Sequence, residues 1–137
     1  MSLGNRHKAA AADAPGETAE RRQAWRRGRA AERLCVWHLR LRGYRVLAQH
    51  YRVAVGEIDI IARRGAVLAA IEVKARGTLD AAGEAIAPRQ RRRIARAFEH
   101  FLARHPQFAH FTLRFDVMLV APCRLPRHLP NAWRLDD

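Results

Sequence analysis

Residues 56–76, GEIDIIARRGAVLAAIEVKAR, decide how this chain folds. Two runs rich in Ile, Val, Leu and Ala flank Arg64-Gly65, a turn signal. They read as strands over Glu57–Ala62 and Val67–Arg76, joined as a hairpin. Each run carries charge in its interior: Asp59 in the first, Glu72 with Lys74 two residues on in the second. Side chains alternate along a strand, so Glu72 and Lys74 share a face, as do Asp59 and Ile61. Loop parity decides whether the two acids meet. A two-residue loop at 64–65 pairs residue 59 with residue 70, and a four-residue loop at 64–67 sets Asp59 opposite Glu72. Either even loop gathers both carboxylates and the ammonium on one face, within roughly 5–8 Å between Cβ atoms. An odd loop would divide them across the sheet.

Working outward, Tyr44–Val53 reads as a further strand, separated from the hairpin by Gly56. Before it, Arg22–Arg42 reads as a helix stopped by Gly43. Its stripe is Trp25, Leu34, Trp37, His38 and Leu41, widened by Val36 and Leu39. After the hairpin, Gly77–Pro88 is loop-like. Arg89–His105 then reads as a second helix ended by Pro106, with Gln90, Ile94, Ala97, Phe98, Phe101 and Leu102 on one stripe. Phe111–Ala121 alternates as a fourth strand. The tail from Pro122 holds three prolines and reads as a covering segment with a short turn at Asn131–Trp133. Residues 1–20 lack apolar periodicity and read as a disordered lead-in to one domain over 21–137. This order predicts an α/β fold, a mixed β-sheet flanked by helices.

Composition narrows the function. The chain has 137 residues, 49% of them hydrophobic, enough for one sizeable core. No run approaches the roughly 18 apolar residues of a membrane span, and Met1–Gln23 has no apolar block of the kind a signal peptide carries. Two cysteines, Cys35 and Cys123, are too few for a disulfide framework or a four-ligand zinc site, and a reducing cytoplasm is the simplest setting. Lys and Arg number 26 against 13 Asp and Glu, a formal net charge of +13. Such an excess attracts polyanions, nucleic acid first among them. Arg76, Arg89, Arg91, Arg92 and Arg93 are the candidate phosphate contacts. An Arg-rich solvated surface accounts for the same charge without a partner.

Two carboxylates on one face repel unless a proton or a cation lies between them. Oxygen ligands without Cys or His favour Mg²⁺ or Mn²⁺ over zinc. Lys74 beside the pair suits orienting a water and offsetting charge on a phosphorus centre. The competing reading is an ordinary cross-strand ion network on a solvated face, and residue types alone leave both open. Glu57 reads as a strand-end surface acid, and Asp116 with Arg114 as a structural pair. His100, His105 and His110 recur every five residues and share no helical face.

Asp59 followed by Glu72-x-Lys74 resembles the PD-(D/E)XK nuclease signature. More closely, GEIDIIA (56–62), EVKAR (72–76), RFDV (114–117) and Gly43-Tyr44 are similar to the YraN family of bacterial proteins. That family is regarded as endonuclease-like and related in fold to Holliday junction resolvases, and the likeness covers about residues 24–133. It implies a restriction-endonuclease-like αβββαβ core. It also implies Asp59 and Glu72 as ligands of Mg²⁺ or Mn²⁺, with Lys74 next to the attacking water. By the same resemblance Glu32 is the acid that the first helix adds to the metal and catalytic set. Gln90 is the polar residue that the second helix brings to the metal site or the DNA. Val36 and Leu39 lie at i+4 and i+7 from Glu32, so Glu32 faces the packed side; an ion pair with Arg29 or Arg33 is its other reading. Two departures stand: Ile58 where the broad signature has proline, and Ala31 where glycine is usual.

The expectation is therefore metal-dependent hydrolysis of phosphodiester bonds in DNA, branched or single-stranded. Two alternatives remain: a nuclease fold that binds nucleic acid without turnover, and a basic adaptor whose acids form a structural network. Homodimerisation enters only by analogy with resolvase-like folds.

Overall fold

The computed structural model describes residues 15–75 and 86–135, with backbone alone for 15–18 and 21–27. Its elements, in chain order, are helix α1 (Pro15–Leu41), strands β1 (Arg45–Val53), β2 (Gly56–Arg64) and β3 (Val67–Lys74), helix α2 (Pro88–Arg104), a 3-10 turn (Pro106–Phe108), and strands β4 (Thr112–Leu119) and β5 (Arg127–Trp133). The chain divides into two compact units, Met1–Ala30 and Ala31–Asp137. Among the described residues the first unit is the N-terminal stretch of α1. The second holds every other element.

Helix α1 begins at Pro15, ahead of the expected Arg22 and inside the stretch read as disordered. Proline is preorganised for a first helical position, and the Ala, Glu and Arg that follow are good helix formers even without an apolar stripe. Residues 1–14 lie outside the described residues, as does most of the loop expected over Gly77–Pro88.

The strands form one mixed sheet in the order β1-β2-β3-β4-β5 among the described residues. Every neighbouring pair is antiparallel except β3 and β4, which run parallel. A parallel pair needs a long crossover, and α2 lies in it. The architecture is the expected α/β fold, consistent with a restriction-endonuclease-like core. One strand was not anticipated. The proline-rich tail forms β5, pairing with β4 from Leu119↔Arg127 to Phe115↔Trp133. Pro130 within it is tolerated because β5 is the last strand of the sheet among the described residues, with one side of its backbone facing no described strand.

The β2–β3 turn lies one residue later than Arg64-Gly65, with Arg64 paired to Val67 and Gly65-Ala66 between them. Gly65 has φ 59°, the positive value that two-residue hairpin turns demand of their first central residue. The register through Ile60↔Ile71 brings Asp59 level with Glu72, the arrangement of the longer even loop.

One face of the sheet packs Ile58, Ile61, Leu68 and Ala70 with Ile94, Phe98 and Phe101 of α2. The other packs Ile60, Ala62, Ala69, Ile71 and Met118 with Ala31, Cys35, Val36 and Leu39 of α1. The expected stripe of α1 is thereby corrected. Leu34, Trp37 and Leu41 are 49%, 62% and 82% exposed, while Cys35 and Leu39 are fully buried. This half of the helix is apolar almost all round, so periodicity offers two stripes. Small Ala31 and Cys35 let the helix approach the sheet closely. Burying a large apolar side chain contributes roughly 1.5–3 kcal/mol, far above the few tenths separating most residues in helix propensity. Packing therefore chooses the face. No helix among the described residues is long and apolar enough to cross a membrane.

Candidate active site

The carboxylates of Asp59 and Glu72 meet where the regularity of β2 fails. Ile58 and Ile61 both pack on the α2 side, while Ile60 packs on the α1 side. Strict alternation cannot place positions three apart on one face, so the facing of β2 side chains changes around Asp59 while its register with β1 is kept. The ladders stop at the same level. The β1–β2 register passes from Gln49↔Ile60 to Tyr51↔Ile58 without a bridge between His50 and Asp59. The β2–β3 register ends at Ile60↔Ile71, one step short of Asp59 and Glu72. His50 itself has φ 52°, a left-handed conformation uncommon for a residue with a side chain.

The side chains take up the missing backbone bonds. Asp59 Oδ2 accepts the Val73 N–H at 2.9 Å, which fixes its carboxylate against β3. Glu72 is 8% exposed and accepts a hydrogen bond from Gln90 Nε2 of α2. Lys74 Nζ stands 3.8 Å from Glu72 Oε2, as their shared strand face requires. Burial and then the neighbouring Asp59, which also shares a hydrogen bond with it, raise the pKa of Glu72 to about 9, against the smaller opposing effect of Lys74. The pair thus holds a proton at neutral pH when no cation is bound.

Glu32 reaches the same region from α1. Its Oε1 lies 2.6 Å from His50 Nε2, with its side chain 13% exposed. The sequence pointed to Arg29 or Arg33 as the alternative partners and did not single out His50, since nothing in QHY announces a left-handed backbone. Burial, then Glu32, then Asp59 push the Cys35 thiol up to about 12. Both acids therefore act on one thiol, which stays protonated and offers no thiolate ligand.

The remaining expectations divide. Arg89, Arg92 and Arg93 are exposed on α2. Arg91 turns inward, its Nε donating to the Ile86 carbonyl at 3.0 Å and its guanidinium 5.6 Å from the centre of the Trp133 ring. Arg76 lies outside the described residues. Glu57 pairs with Arg52 at 2.9 Å, half-exposed, as a strand-end surface acid. Asp116 is fully buried. It accepts from Arg114 Nε at 2.9 Å, from the Asn131 N–H at 2.9 Å and, through Oδ2, lies 2.7 Å from His128 Nε2. That cluster ties β4 to β5 and is structural. His100 bonds Tyr51 and His105 the Phe101 carbonyl, so neither belongs to the site.

The donor set limits which ion would fit. Among the described residues no group of three or more His, Cys, Asp and Glu side chains is spaced to hold a metal. Catalytic zinc needs about three protein ligands. Magnesium is bound through one or two carboxylates while keeping several waters and taking substrate phosphates. Two adjacent hard carboxylates that repel without a cation suit Mg²⁺ or Mn²⁺. Glu32, lying against His50, is close to the pair without completing a three-ligand set.

The model of the uncharacterised protein family UPF0102 matches residues 31–120, a span that includes Glu32, the whole β1–β2–β3 row and Gln90. The chain is 57% identical over 111 residues to a UPF0102 protein of Parvibaculum lavamentivorans, covering 81% of this chain and 84% of the relative. It is 52% identical over 117 residues to one of Paramagnetospirillum magneticum, covering 82% and 91%. A relative in Methylorubrum extorquens is 53% identical over 118 residues, covering 86% and 92%.

Proposed function

We propose that this chain, which belongs to the uncharacterised protein family UPF0102, hydrolyses phosphodiester bonds in DNA with a divalent cation held by Asp59 and Glu72. The placement we propose for it is among PD-(D/E)XK nucleases of the resolvase-like kind, working in the cytoplasm. One observation carries the reading: two carboxyl groups from neighbouring strands lie together beside an ammonium, in a gap of the sheet ladders. A site that takes up a cation during its reaction needs this sort of poised, under-neutralised pair.

When bound, Mg²⁺ or Mn²⁺ would supply Lewis-acid charge at the phosphoryl oxygens and lower the pKa of water. The protein supplies position. Val73 N–H holds Asp59, and Gln90 holds Glu72, so both carboxylates are oriented before substrate arrives. Lys74 Nζ stands where negative charge accumulates as water adds to phosphorus and the ester oxygen departs. One P–O bond forms and one breaks, and the proton lost by water leaves with solvent or the departing oxygen. Glu32 and His50 lie against each other on the α1 side and would offer polar groups to water there.

The test is incubation of duplex, single-stranded and four-way-junction DNA with Mn²⁺. The wild type is expected to cut at least one of them. Asp59→Ala, Glu72→Ala and Lys74→Ala should lose cutting while keeping salt-sensitive binding. Equal cutting by those variants, or none by the wild type on any substrate, overturns hydrolysis, and the second outcome with binding intact selects a nucleic-acid-binding role.

A further inference from the structure

Several arginines among the described residues are engaged internally. Arg52 pairs with Glu57, Arg64 with the Arg42 carbonyl and the Tyr44 ring, Arg91 with the Ile86 carbonyl, and Arg114 with Asp116. Arg89, Arg92, Arg93 and Arg96 differ. Among the described residues none of these four guanidinium groups takes part in an ion pair or hydrogen bond. They fall at i, i+3, i+4 and i+7 and so form one stripe along α2. Ala54 and Val55, at the turn between β1 and β2, stand across from them. Together the six residues line a groove of about 340 Å³ that contains no carboxylate.

Such a stripe works against the helix in isolation. The pairs 89/93 and 92/96 set like charges one turn apart, which repel. The first turn of α2 has no acidic residue, although the positive end of a helix favours one there. An anion in the groove would relieve both. The walls are fixed, moreover, because a Cβ on Gly56 would sit 1.9 Å from the Arg93 carbonyl oxygen. The hairpin therefore abuts the backbone of α2 itself.

Both walls lead to the carboxylate pair. Gln90, beside Arg89, donates to Glu72, and β2 runs from Gly56 at the groove to Asp59. From Arg89 to Arg96 the helix rises about 10 Å, or roughly three axial phosphate steps of one DNA strand at about 3.4 Å each. A single phosphate would meet only part of that length; a polymer meets all of it. Val55, 43% exposed, offers an apolar edge for deoxyribose.

We infer that this groove is the track for the sugar–phosphate backbone of one DNA strand, holding phosphates on one side of the bond presented to Asp59 and Glu72. The inference rests on the nucleic-acid part of the proposed function and adds Arg96 to the contacts while removing Arg91. It needs no cation, and that separates the two experimentally.

The experiment is fluorescence anisotropy with a labelled single strand and its duplex, in EDTA, over a range of salt. Arg92→Gln with Arg96→Gln should weaken binding on the order of tenfold near 0.1 M salt. It should also reduce the magnitude of the log–log salt slope by about 1.4 for the single strand and about 1.8 for the duplex. Arg92→Lys with Arg96→Lys should keep the slope. Arg124→Gln with Arg127→Gln, the same charge change beside β5 at the far edge of the sheet, should alter it by less than half as much. An unchanged slope in the groove variant, or an equal loss in the β5 variant, overturns the track. Failure of the wild type to cut DNA leaves this result standing and counts only against hydrolysis.

Discussion

Replacing Glu72 by glutamine is expected to make the cation-free protein more stable near neutral pH, an unusual outcome for a change at a buried position. Burial and Asp59 hold Glu72 at about 9 in the folded chain, against its ordinary 4.5. A carboxyl whose folded pKa is raised contributes its full stability below its unfolded value. That contribution is lost as pH climbs toward the folded one, by about 1.4 kcal/mol per pH unit. The affected window therefore opens near pH 4.5 and closes near 9. At pH 7 the wild type has given up about 3 kcal/mol. The amide introduced by Glu72→Gln does not titrate, has nearly the same shape, and keeps an oxygen for Gln90. Urea denaturation in EDTA should place the Glu72→Gln midpoint about 1–3 M above wild type at pH 7, with the two coinciding near pH 4.5. Added Mn²⁺ should close the gap from the other side. At a hundredfold excess over its Kd it stabilises by about 2.7 kcal/mol only a protein that binds it, and the variant lacks one carboxylate of the pair. A variant that gains nothing at pH 7, or gains the same at both pH values, would refute the shared-proton account.

Asp116→Ala should cost about 3–5 kcal/mol in the same assay, because it strands Arg114 and the Asn131 N–H in a buried site. Burial alone would raise the Asp116 pKa, yet His128, Arg114 and Asn131 together hold it below 3.8. Its contribution is thus present above 3.8 and lost as pH falls through the lower folded value, so stability measured down an acid series should fall less steeply in Asp116→Asn than in wild type. Gly56→Ala drives a methyl into the Arg93 carbonyl and should lower stability by about 1–3 kcal/mol, read as a reduced Tm together with weaker DNA binding.

Much of the fold is legible in the sequence because its signals are local. Alternation and turn residues between Tyr44 and Lys74 define three strands. The Ile94–Phe98–Phe101 spacing defines the buried side of α2. Where two local signals compete, the sequence is silent. The apolar half of α1 offers one stripe through Leu34 and Trp37 and another through Cys35 and Leu39, and only the close approach of the sheet selects the second. Strand β5 is hidden for the opposite reason: Pro126 and Pro130 argue against a strand, and only its place at the sheet edge permits one. For the site, hairpin parity is enough to bring Asp59, Glu72 and Lys74 together, and the one-residue shift of the turn leaves that parity intact. His50 is different. Its contact with Glu32 depends on a left-handed backbone and a missing bridge, neither of which residue types encode.

Two buried acids in this sheet, Asp116 and Glu72, separate structure from function. Asp116 is what a stabilising network requires. It has donors from Arg114, His128 and the backbone, and its pKa is depressed. Its strand stays paired with β3 across it, and the β4–β5 register shift at that level is bridged by the Asn131 N–H that Asp116 accepts. Glu72 faces another acid, has its pKa pushed up, and sits where the ladders on both sides of Asp59 lapse. If the row His50–Asp59–Glu72 served only to hold the sheet, the chain would be more stable with apolar residues there, as buried ion groups generally are when replaced by well-packed hydrophobic ones. Instead several unfavourable features occupy one level: a left-handed His50, broken side-chain alternation in β2, unpaired backbone relieved by a carboxylate, and two acids side by side. Unfavourable local choices that coincide in space, within a sheet whose other buried acid is fully partnered, support the chemistry proposed for that level. That contrast, more than the overall cationic charge, is why we propose residues 59 and 72 for the reaction.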